Sequence, residues 1–217
     1  MNIRTQVMIA AVAAAGLSSL ANASIITTTF TSGLTTNVAG ATTVDFNSGK
    51  PWFYTGPSTV VSGSISGQTA APAGDSTPYL SVAYPNQSGV ETATLNNSYN
   101  YFGLYWGSID DYNTLKFYSG DTLVATISGG DVIASGTALG DQIATGSNRY
   151  VNFLFNDATY DNIVFSTTQY AFESDNHAFA NVRAVPEPAS FALMGLGLAA
   201  IGFTRMRRRV VAKGAAF

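Results

Sequence analysis

Thr114-Leu115-Lys116-Phe117-Tyr118-Ser119-Gly120-Asp121-Thr122-Leu123-Val124-Ala125-Thr126-Ile127-Ser128 decides the fold class. Leu115 and Phe117 alternate with Lys116 and Tyr118. Beyond the small residues Ser119-Gly120-Asp121, Leu123, Ala125 and Ile127 alternate with Val124, Thr126 and Ser128. A period of two is that of a strand with one face buried. Ser119-Gly120-Asp121 carries the turn chemistry of a hairpin. The stretch therefore predicts an antiparallel pair.

The same pattern continues on both sides. Apolar or aromatic runs stand at 25–30, 42–46, 60–66, 79–84, 90–95, 102–106, 150–155, 162–167 and 177–183. Clusters of Gly, Asn, Asp, Ser and Pro separate them, as they separate strands. No segment between 24 and 184 holds a 3.6-residue apolar period. Short strands at this spacing predict an all-β domain, a β-sandwich or jelly roll. The Ser-, Gly-, Ala- and Pro-rich stretch 64–77 reads as a long loop.

The segment 24–184, about 160 residues, is long enough for one domain with its own core. It holds four basic residues (Lys50, Lys116, Arg149, Arg183) against twelve acidic ones, a net charge of −8. A domain this acidic argues against nucleic acid, whose binding rests on Lys and Arg. The chain has no cysteine, which excludes disulfides and thiol chemistry.

Candidate chemistry is sparse. His177 is the one histidine, no Gly-x-Ser-x-Gly elbow accompanies it, and it reads as a packed, hydrogen-bonded residue. Glu173 and Asp175 share a face if their segment is a strand, which would suit the acid–base pair of a glycosidase. Asp45, Asp161, Glu173 and Asp175 offer oxygen ligands from both ends of the domain, the donor type for a structural calcium ion. Six aromatic residues crowd into 99–112. By alternation Phe102 and Trp106 face the core, leaving Tyr101, Tyr105 and Tyr112 as an exposed platform for a sugar.

The two ends read as targeting segments. Arg4, the apolar stretch 7–20 and Ala21-Asn22-Ala23 have the layout of a signal peptide, with cleavage expected between Ala23 and Ser24 by a signal peptidase. At the other end stand Val185-Pro186-Glu187-Pro188, an uncharged run 189–203, and then Arg205, Arg207, Arg208 and Arg209. Each proline biases its preceding residue away from the helix, so this motif is expected to be extended. The run, a transmembrane helix over about 189–204, covers about 22 Å, and snorkelling arginines and bilayer thinning accommodate the shortfall. The arginines are expected on the cytoplasmic side.

Pro186-Glu187-Pro188, the apolar span and the arginine cluster, in that order, resemble the PEP-CTERM sorting signal. The resemblance covers roughly the last 25 residues and implies processing by exosortase, a membrane protease-transpeptidase of Gram-negative, exopolysaccharide-producing bacteria. It implies transient anchoring in the inner membrane, then the cell surface or extracellular matrix. The same tail is similar to what is also termed an ice-binding protein C-terminal domain, a label for the sorting tail that carries no implication of ice binding. The stretches 101–113, 161–166 and 171–178 resemble the middle domains of exosortase-dependent surface proteins. The domain order expected is a signal peptide (1–23), a β-sandwich (24–184) and a sorting signal (185–217). The function expected is that of a non-enzymatic exported surface or matrix protein associated with exopolysaccharide or biofilm. The alternative is a polysaccharide-active enzyme, using Glu173 or Asp175, or a carbohydrate-binding module.

Overall fold

A computed structural model describes residues 24–182, and among them the chain forms twelve strands. The predicted signal peptide 1–23, with Ala21 and Ala23, lies outside the described residues. So do Val185, Pro186, Glu187, Pro188, the predicted membrane helix 189–204, Arg205, Arg207, Arg208 and Arg209.

The strands are β1 (Ile26–Thr31), β2 (Thr42–Val44), β3 (Tyr54–Thr55), β4 (Thr59–Val61), β5 (Tyr79–Val82), β6 (Gly89–Tyr99), β7 (Tyr101–Gly107), β8 (Asn113–Ser119), β9 (Thr122–Ser128), β10 (Arg149–Phe155), β11 (Tyr160–Thr167) and β12 (Phe172–Ala180). The hairpin expected from the alternation is β8–β9, with Leu115 opposite Ile127 and Phe117 opposite Ala125. A seven-stranded sheet runs β1-β10-β7-β12-β5-β4, with β2 paired to the far end of β12. A five-stranded sheet runs β3-β6-β11-β8-β9, and every pairing is antiparallel. The last eight strands divide as β10-β7-β12-β5 against β6-β11-β8-β9, the interleaved Greek-key order of a jelly roll.

The inner faces meet in an aromatic core. Phe102, Trp106, Phe153, Phe155, Phe172 and Phe179 of the large sheet pack on Leu115, Phe117, Tyr160, Ile163 and Phe165 of the small one. Trp106 stacks on Phe172 with centroids 4.5 Å apart. His177 joins this core as a polar member. It stacks on Phe165, its Nδ1 lies 2.8 Å from the Tyr54 hydroxyl, and its Nε2 lies 2.9 Å from Ser174 Oγ. Burial holds its pKa down at about 3, so the imidazole is neutral.

The large sheet is covered on both faces. On its outer side the segment 32–41 lies over Tyr101, Ala178 and Ala180. The segment 62–78, the predicted long loop, straps across the other end of β7 and β12. Gly107 permits this: a side chain there would collide with Pro72 at 2.8 Å. All seven residues of β7 are buried as a result.

β12 begins earlier than the sequence suggests, at Phe172, because a bulge breaks its alternation. Its register against β7 shifts between Asp175 and Ala178, with Asn176 at φ +52°. Before the bulge Phe172 and Ser174 point inward; after it His177 and Phe179 do. The bulge leaves Glu173 and Asp175 on the outer side, beneath the strap.

Candidate functional site

The strap, the end of β7, the segment 140–142 and the start of β12 enclose a polar cleft of about 610 Å³. Ser64, Ser66, Gln68 and Thr69 line it from the strap. Ser108, Asp110 and Tyr112 line it from the β7–β8 connection, and Gln142, Tyr170 and Glu173 complete the wall. No Lys, Arg or His is among its lining residues.

Glu173 is the cleft's buried anchor. Its Oε1 accepts the Ala70 N–H at 2.8 Å and the Thr69 hydroxyl at 3.2 Å, and its Oε2 accepts the Ser108 hydroxyl at 2.8 Å. Burial pushes its carboxyl up to about 7 in spite of these donors. Ser108 takes the left-handed backbone region, φ +36°, which a non-glycine residue adopts only when its surroundings hold it there. Here its N–H donates to Asn148 Oδ1 at 2.9 Å while its hydroxyl reaches Glu173.

Asp110 is half-buried at the opening. The Tyr112 hydroxyl lies 2.6 Å from its Oδ2 and 2.7 Å from the Tyr170 carbonyl, so one hydrogen faces two acceptors. Burial raises the Asp110 pKa, and the hydrogen bond from Tyr112 opposes the rise. Gly140 packs against this carboxyl so closely that a Cβ there would lie 2.8 Å from Asp110 Oδ1.

Asp175 sits beside the cleft, sealed under the strap. Its Oδ2 accepts the Thr77 hydroxyl at 3.2 Å and its Oδ1 accepts the Asn176 N–H at 2.7 Å, with the Asp75 carboxyl of the strap close by. Asp75 Oδ2 is buried with no donor from the protein, and among the described residues the one ion pair is Lys50–Glu91, at 2.9 Å. Burial, and then the Asp75 carboxyl, push Asp175 up to about 8.

Several sequence expectations are corrected. Tyr101 and Tyr105 do not form an exposed platform; they are 2% and 6% exposed. The roofs on the large sheet cover them. Tyr101 donates to Asn152 Oδ1 at 2.6 Å, and Tyr105 donates to the Ala73 carbonyl of the strap at 2.6 Å. Tyr112 alone of the three reaches an opening. The four proposed calcium ligands do not converge. Asp45 closes its own turn with Asn47, and Asp161 accepts the Gly120 N–H at 3.0 Å in the β8–β9 turn. Glu173 and Asp175 are engaged by the strap, and no three His, Cys, Asp or Glu residues come together as a metal site among the described residues. Glu173 and Asp175 share a face of β12, but Asp175 is fully buried and does not line the cleft. Ser24, the expected mature end, donates to Asp157 Oδ1 at 2.5 Å beside β1.

Sequence reasoning missed Asp110, Ser108 and Gln142 as parts of one cleft. Their meeting depends on the strap and on the 140–142 segment, neither of which carries a periodic signal. It also missed Trp52, 77% exposed and edge-on to Phe53, whose single position in a loop gives no pattern.

No curated protein and no solved structure matches the chain. A family model described as the PEP-CTERM protein-sorting motif matches residues 184–209, just beyond the last described residue, Val182. Through these residues the chain carries the PEP-CTERM sorting motif, the mark of an exported protein that is anchored in the membrane in transit, processed by exosortase and sorted to the cell surface.

Proposed function

We propose that this is a non-enzymatic surface protein of a Gram-negative bacterium whose jelly-roll domain binds exopolysaccharide, and so joins the biofilm matrix, through the Ser108–Glu173 cleft. The observation that carries the reading is the cleft's lining. Hydroxyls of Ser64, Ser66 and Ser108, amides of Gln68 and Gln142, and the rings of Tyr112 and Tyr170 surround a volume suited to a small ligand or one stretch of a chain. Sugars present hydroxyl edges to amides and carboxylates and apolar faces to aromatic rings. The non-enzymatic part rests on Glu173, whose two oxygens are both taken by internal donors.

A second reading has one observation in its favour. Asp110 and Glu173 both have raised pKa values and line one cleft, as a glycosidase acid would require. Co-sedimentation of the processed protein with the host's own exopolysaccharide tests both readings. Binding is expected, and the Tyr112→Ala/Gln142→Ala double variant should weaken it roughly tenfold or more. Steady release of new reducing ends would favour the enzyme. No binding at all would overturn the glycan reading.

A further inference from the structure

Resting on that reading, we infer that the cleft is built for polysaccharides of neutral or amino sugars and excludes acidic ones such as polyuronates. Its lining holds two carboxyl groups, Asp110 and Glu173, and no basic side chain. The segment 24–184 around it has a net charge of −8. A bound uronate would set its carboxylate near Asp110 without a cation or anion-binding arginine to offset it. Like charges brought together in a partly desolvated site repel strongly. The field of the domain also slows the approach of a polyanion.

The residue that reads the sugar is Asp110. Glu173 is buried, and both its oxygens already accept internal hydrogen bonds. Asp110 Oδ2 is held by Tyr112, while Oδ1 accepts no hydrogen bond among the described residues. That free oxygen lies in a partly buried wall, in space that a side chain at Gly140 would fill. It can accept from a sugar hydroxyl or from the ammonium of an amino sugar, and with an ammonium the bond is charge-assisted. Tyr112 and Ser108 hold neighbouring oxygens in place, so the acceptor is presented without rearrangement.

Three polymers of matched length test this with the processed protein: a neutral glucan, a partly deacetylated poly-N-acetylglucosamine and a polyuronate. Each is titrated at low salt and at about 0.15 M salt, where screening acts over roughly 8 Å. The neutral and amino polymers should bind, the amino polymer more tightly at low salt. The polyuronate should fail to bind at low salt. Asp110→Asn should cost the amino polymer roughly tenfold in affinity and the neutral glucan less. Tight polyuronate binding that weakens with salt would overturn the class while leaving a glycan-binding cleft. Binding of neither the neutral nor the amino polymer would overturn the class and the glycan reading together.

Discussion

Asp175 shows how a single side chain ties the strap to the sandwich. Its carboxyl lies under the strap with that of Asp75, and among the described residues no Lys, Arg or His side chain pairs with either. The tyrosines that feel these carboxyls are Tyr105, beside Asp75, and Tyr150, beside Asp175. An acid whose folded pKa is raised binds more protons when folded, so its contribution to stability is lost as pH rises. Asp175 acts in this way from its ordinary range, about 4, up to about 8, and Glu173 up to about 7. His177 acts with the opposite sign, because its neutral form is required: below 6.5 the unfolded chain takes the extra proton. The balance predicts stability that falls from about pH 4.5 to 8, most steeply between 6.5 and 7. Denaturant unfolding across pH checks this. Asp175→Asn, a neutral isostere, should flatten the slope and be the more stable protein at pH 9 by about 1–3 kcal/mol. A variant that tracks the wild type at every pH would contradict the raised Asp175 carboxyl.

At the scale of elements, β7 and the strap define the cleft between them. Gly107 lies beneath Pro72, so Gly107→Ala forces the strap to move; a loss of about 1–3 kcal/mol is expected from overpacking. A thermal melt checks it, with Gly130→Ala as comparison, since a Cβ at Gly130 meets only ordinary contacts beyond 3.5 Å. Equal melting temperatures would contradict the close packing of the strap. Strands with clean alternation were legible in the sequence: β8, the Ala125–Ile127 half of β9, and the inward Phe102 and Trp106 of β7; at the start of β9 a register shift turns Leu123 out, 48% exposed, and brings Val124 against the core. β12 was less so, because the bulge at Asn176 switches which residues face inward, and the run read from the sequence starts only at 177. The exposure of Tyr101 and Tyr105 was misread for a related reason. Alternation shows which face a residue takes, but not whether a loop far away in sequence covers that face. The cleft was illegible on the same ground: the strap and the 140–142 segment that complete it carry no repeat.

Across the whole molecule, the tail and the cleft belong to opposite ends of one strand. Val182 is clamped at the start of β7, where its N–H donates to Asn100 Oδ1 at 2.7 Å and its carbonyl accepts Asn100 Nδ2 at 2.8 Å. The cleft opens past the other end of β7, seven residues away and so about 20 Å along the strand. Only Arg183, Ala184 and Val185 separate Val182 from Pro186, a reach of about 14 Å at most. The last described residue and the proposed binding cleft thereby lie at separate ends of β7. Hydrogen–deuterium exchange on the processed protein, with and without the host's exopolysaccharide, maps the claim directly. The account predicts protection confined to 64–70, 108–112, 140–142 and 170–173; protection elsewhere only, around Asn100 or on the small sheet, would contradict it.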